Sequence, residues 1–81
     1  VMTTSVLADV QRLAADIFKV ERVSASDSRD TIASWDSVAH VNLVLAVEQH
    51  FDVQFLPEEM LEMLTIELVA MLVDEKLAAR G

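Results

Sequence analysis

The chain has 81 residues, with 14 acidic and 6 basic side chains, two histidines and no cysteine, for a formal charge of −8. That length fits one domain over residues 1–81 with three or four short helices, and no large enzyme cleft. A hydrophobic share of 53% with one Gly and one Pro excludes disorder, the missing cysteine excludes disulfides and thiolate zinc sites, and the acidic balance argues against nucleic acid.

Anionic membrane surfaces are disfavoured for the same reason, and basic protein surfaces are the natural complement. No apolar run approaches the ~18 residues of a membrane span, and no basic segment leads into a greasy core. A cytoplasmic, monomeric domain without membrane insertion is therefore expected. Val1 precedes Met2, which reads as the true start of a free-standing protein.

The first helix opens at Thr3, Thr4 or Ser5, any of which can cap free amides. Val6, Leu7, Val10, Leu13, Ala14, Ile17 and Phe18 recur every three or four residues as one buried stripe. Asp9, Gln11, Arg12 and Asp16 fall on the solvent side. From Lys19 to Trp35 the period disappears into a serine- and aspartate-rich stretch, with Val23, Ile32 and Trp35 as anchors into a core. A connection this long is uncommon in a compact domain and is usually either functional or a mis-assigned element; it reads as a long ordered loop.

Asp36 and Ser37 open a second helix that runs to His50 or Phe51. Pro57 starts a short third helix, where proline suits the first position and Glu58 and Glu59 suit the dipole. Thr65 caps a fourth helix carrying Ile66, Val69, Ala70, Leu72, Val73 and Leu77, with Lys76 and Arg80 near its end and Gly81 last. No strand-like alternation occurs. The fold class is all-α, a small four-helix bundle with a long loop between helices 1 and 2.

A wheel of residues 37–51 is the informative step. Leu43, Val44, Val47 and Phe51 fill one arc, while Val38, Val41 and Leu45 fill another, with Glu48 between them. The apolar span is roughly twice the ~100° that one core-facing stripe needs. Either this helix is central and buried on two sides, or Val38, Val41 and Leu45 form an exposed patch for a partner. Glu48 favours the patch, because an unpaired buried carboxylate is costly. Ten of the fourteen acids lie from Asp30 to Glu75, a stretch with no Lys or Arg. A field of that sign steers basic partners.

Ser37 has two readings. It can serve as a helix cap beside Asp36, or it can offer a hydroxyl at the positive end of the dipole after a long loop. A phosphate ester there gains roughly 0.3–1 kcal/mol from free amides and the dipole.

Asp36-Ser37-Val38, followed by Val41, Leu43, Val44, Leu45, Val47, Glu48, Phe51, Asp52 and Val53, resembles the signature of acyl carrier proteins and thiolation domains. The order of helix and loop upstream, and Pro57-Glu58-Glu59 and Met63-Leu64-Thr65-Ile66 downstream, extend the likeness over nearly the whole chain. The resemblance implies a single carrier domain and no catalyst. Ser37 would receive 4′-phosphopantetheine from coenzyme A through a phosphopantetheinyl transferase, and the arm's thiol would hold acyl or aminoacyl groups as thioesters. Asp36 would help bind the transferase, and Val38, Val41, Leu45 and Glu48 would meet partner enzymes. Those partners would be a loading ligase and condensing, modifying or transferase enzymes of fatty acid, polyketide or nonribosomal peptide biosynthesis.

Departures from the family pattern lean toward a specialised pathway. Asn42 and Gln49 stand where acids are common, Ser34 replaces a glycine, and Leu56 looks like an extra residue. His40 either approaches the phosphate or is an exposed spectator. Met60, Met63 and Met71 are core filler or line a cavity for a bound chain. The alternative function is a non-carrier helical interaction module, binding a basic amphipathic partner through Val38, Val41 and Leu45, with Ser37 only a cap. His40 and His50 fall on different sides of the helix, so no triad is expected with Ser37 and Asp36. No metal-ligand cluster is present either.

Overall fold

The structure is a computed structural model and describes residues 5–79. Four helices follow one another: α1 (Val6–Phe18), α2 (Ser37–Phe51), α3 (Pro57–Leu61) and α4 (Ile66–Ala79). Helix α1 packs on both α2 and α4. Val1, Met2, Thr3 and Thr4 at one end, and Arg80 and Gly81 at the other, lie outside the described residues, so Ser5 is the one expected cap that can be placed. Its hydroxyl accepts from the Ala8 amide at 3.0 Å, and the stripe it starts buries Val10, Ala14 and Phe18 completely. Val6, Leu7, Leu13 and Ile17 pack at the margin of the core. Asp9 is not the solvated residue its position on the wheel implies. Its carboxylate lies 3.0 Å from Arg12 and 3.6 Å from His50 Nε2.

The long connection is ordered by its own side chains. Asp27 accepts from the Ser24 amide at 2.7 Å and the Thr31 hydroxyl at 2.8 Å. Short polar residues make such local bonds readily. The loop then supplies what the start of α4 lacks. The first amides of a helix have no intrahelical acceptor, and here Ile66 and Glu67 donate to the carbonyls of Asp27 and Ala25, at 3.1 and 2.8 Å. Thr65 Oγ1 accepts from Leu68 at 3.2 Å. Val23, Ile32 and Trp35 are buried, as expected of apolar anchors in a polar stretch.

Two helices end in left-handed residues that are not glycine, Lys19 at φ 59° and Asp52 at φ 56°. In α3, Pro57 takes the first position and the Glu59 carboxylate accepts from the Leu56 amide at 2.7 Å. Lys76 reaches the same carboxylate at 2.8 Å. That amide first, and Lys76 second, hold the Glu59 carboxyl below its ordinary 4.5. Of the three methionines read as core filler, Met63 is buried and Met60 half-buried, but Met71 is exposed. Met71 is therefore no core filler, because it falls on the outer face of α4, opposite Val69 and Val73. Among the described residues there is no strand, only a bridge between Ser28 and Thr65, and no helix is long and apolar enough to cross a membrane.

Candidate functional site

The start of α2 assigns separate tasks to Asp36 and Ser37. Asp36 is the cap: its carboxylate accepts from the Ala39 amide at 2.8 Å, and its carbonyl accepts from the His40 amide at 2.8 Å. Ser37 is thereby the first helical residue, exposed, and its hydroxyl has no hydrogen-bond partner among the described residues. The reading of Ser37 as a cap is overturned. An aspartate at the capping position with extended backbone takes the bond that a serine would otherwise take, which leaves the hydroxyl free.

Ser37 stands on the wall of an open cleft of about 780 Å³. Val41 of α2, Pro57, Met60 and Leu61 of α3, and Met63, Leu64 and Thr65 beyond it line the apolar part. Ser28, Arg29 and Asp30 of the long loop complete the wall. The loop is held there by the Ser28–Thr65 bridge and by its bonds to the start of α4.

Behind the serine lies a buried polar tie. His40 is 7% exposed, so it is neither a spectator at the surface nor a free group reaching for an anion. Its Nδ1 is 3.0 Å from the indole nitrogen of Trp35, and its Nε2 is 3.0 Å from the carbonyl of Met60. An indole N–H can only donate, and a carbonyl can only accept. The ring is therefore neutral, with its proton on Nε2, a tautomer assigned from these partners. Trp35 also stacks on Phe18, with centroids 4.9 Å apart. One chain of contacts thus runs from α1 through Trp35 and His40 to α3. Sequence reasoning missed it because His40 is separated from its partner carbonyl by 20 residues. Its burial was foreshadowed only by Ala39, Leu43 and Val44 sharing its side of the wheel.

The second apolar arc of α2 is a surface. Val38 is 70%, Leu45 50% and Val41 47% exposed, whereas Leu43, Val44 and Val47 are buried. Glu48 has a further role. It is half-buried and its carboxylate accepts from the Phe55 amide at 2.9 Å, fastening the connection between α2 and α3. A carboxylate inside an apolar span needs a partner, and a loop amide fills that need from within the chain. Leu61 and Leu64, 79% and 66% exposed, continue the apolar surface on the far side of the cleft. Their signal was faint, since a five-residue helix shows too little period to separate an inner from an outer face.

No family model matches the chain, and no curated protein matches it. A solved structure does. The chain is similar to a holo acyl carrier protein from Geobacter metallireducens, determined by NMR in solution, with 27% sequence identity and a TM-score of 0.83. The match covers 93% of this chain and 88% of that one. Four helices in the same arrangement over nearly the whole length, with an exposed serine opening the second, lead to one conclusion: the chain has the fold of an acyl carrier protein and resembles that family of carriers.

Proposed function

We propose that this chain carries acyl or aminoacyl groups on a 4′-phosphopantetheine arm esterified to Ser37. The observation that supports it most is the unpartnered, exposed Ser37 hydroxyl at the rim of an apolar cleft. The residues fit such an arm. The oxygen is open to a modifying enzyme, Asp36 has relieved it of capping, and the helix dipole favours the phosphate charge. When attached, the arm supplies a thiol for thioester chemistry, which a protein without cysteine cannot encode. In the loading step the Ser37 oxygen bonds to the phosphorus next to pantetheine in coenzyme A. The bond to the nucleotide half breaks, and the serine proton passes to the phosphopantetheinyl transferase.

Asp36 and Val38 then meet the transferase, and Val38, Val41 and Leu45 meet the loading ligase and the enzymes that condense, modify or transfer the cargo. Glu48 contributes to docking with whatever of its carboxylate the Phe55 amide leaves free. A cytoplasmic, monomeric carrier domain in a specialised pathway completes the reading. Intact-mass measurement after incubation with coenzyme A and a broad-specificity transferase tests it. One arm should be added to the protein and none to Ser37→Ala. An unchanged mass, or an arm retained by Ser37→Ala, rejects the proposal.

A further inference from the structure

The cleft wall contains one feature that carrying a tether does not require. Of the five basic residues described, Arg12 is paired with Asp9 and Lys76 with Glu59, while Lys19, Arg22 and Arg29 have no acidic partner. Arg29 alone of these lines the cleft that Ser37 also lines. Its isolation has a local cause. The Asp27 carboxylate, two residues away, is engaged by the Ser24 amide and the Thr31 hydroxyl, and the Ser28 hydroxyl accepts from the Asp30 amide. The backbone beside Arg29 is pinned to α4 through the bridge from Ser28 to Thr65. A guanidinium is thus presented from a loop held to the start of α4, on the wall of the cleft that Ser37 also lines.

We propose that Arg29 is the counter-ion of the phosphodiester at Ser37, which rests on the carrier reading above. A phosphodiester on Ser37 Oγ places a full negative charge one bond from that oxygen, at the rim of the same cleft. Asp36 and Asp30 are the acids nearest to it in the sequence and both are exposed, so their charges offset part of what the helix dipole offers the phosphate, and Arg29 is the basic residue on the cleft wall that can answer them. Arginine binds phosphate through its planar fork of donors. The pairing directs the arm's first segment along the wall formed by Val41, Met60, Leu61 and Leu64, away from bulk solvent. It is a binding contact to the prosthetic group and takes no part in the loading chemistry.

The test compares the apo and holo forms of the full chain, with the arm left unloaded so that no cargo supplies a second anion. In the holo form the Nε–H resonance of Arg29 should shift, while that of Arg22, an exposed loop arginine off the cleft, stays in place. The phosphorus-31 resonance of the diester should move in Arg29→Gln, stay closer to the original in Arg29→Lys, and not respond to Arg22→Gln. Salt at about 1 M, where the Debye length is about 3 Å, should return both signals toward their unpaired positions. If holo protein forms but Arg29 and the diester ignore one another, only the counter-ion proposal falls. If no arm attaches to Ser37, both proposals fall together.

Discussion

Replacing His40 by Leu probes the buried tie beneath Ser37. The substitution roughly keeps volume and removes both polar contacts. The Trp35 indole N–H, in a side chain 2% exposed, then has no acceptor, and an unsatisfied buried donor costs about 1–3 kcal/mol. The Met60 carbonyl is only partly buried and water can reach it, so its loss is nearer the ~1 kcal/mol of an ordinary hydrogen bond. Leucine gives back about 1 kcal/mol of apolar burial. The net destabilisation is about 1–3 kcal/mol, or roughly 5–20 °C in melting temperature for a chain of this size. Urea unfolding followed by circular dichroism measures it. The double variant with Trp35→Phe separates polarity from packing, because removing donor and acceptor together leaves neither orphaned. Its cost should fall short of the sum of the single variants by about 0.5–3 kcal/mol. Strict additivity would refute a Trp35–His40 hydrogen bond as the source of the effect.

The other expectations concern caps, docking and acid. Asp36→Ala should cost about 1 kcal/mol of stability, whereas Ser37→Ala should stay within about 0.5 kcal/mol of the parent while accepting no arm; equal losses in urea titrations would restore Ser37 as a cap. Glu48→Gln keeps an acceptor for the Phe55 amide and Glu48→Lys does not, so the lysine variant alone should lose about 1–3 kcal/mol in the same titration. Leu45→Ala, at an exposed site, should unfold within about 0.5 kcal/mol of the parent and still bind partner enzymes more weakly in calorimetry. A loss of about 2–5 kcal/mol would instead place Leu45 in the interior. Because the Glu59 carboxyl is held below its ordinary 4.5, it favours the folded state above that pH. The contribution fades as acid takes the protein down through the lowered value. Glu59→Gln should therefore flatten the acid limb of a stability–pH curve, and an unchanged limb would remove Glu59 from the account.

What could be read from the chain without coordinates follows how far each signal reaches. The stripe from Val6 to Phe18 and the arc of Leu43, Val44 and Val47 are periodic over many residues, and period is the strongest local signal. The pairing of Asp36 with Ser37 was visible as chemistry but ambiguous as geometry. Either residue can cap a helix, and only the backbone angle at residue 36 and the bond to the Ala39 amide decide between them. The burial of His40, the internal bond of Glu48 and the place of Arg29 on the cleft were passed over for a common reason. Each depends on a group outside its own element, the Met60 carbonyl for His40, the Phe55 amide for Glu48 and the far walls of the cleft for Arg29. No spacing rule within one helix can supply such a partner.

The division of tasks at the start of α2 leaves the serine able to serve as the anchor proposed above. A hydroxyl that caps a helix is turned back toward the amides of the first turn and is protected from an attacking or modifying enzyme. Moving the cap one residue earlier, to Asp36, lets Ser37 sit on regular helical backbone with its oxygen outward, at the end of the dipole that favours an anion. The same arrangement keeps the anchor from drifting, since Trp35 just before it is clamped between Phe18 and His40. A tether fixed at its root and free beyond it confines its cargo to a small volume near a docked enzyme, where effective concentrations reach the millimolar range for short linkers. Loosening Trp35 should therefore slow transfer between docked partners without preventing attachment of the arm. Holo Trp35→Phe, kept folded at low temperature and supplied with a loading enzyme and an acceptor enzyme, should show full arm occupancy by mass and a reduced transfer rate. Unaltered transfer in that variant would mean that the root of the tether needs no such clamp.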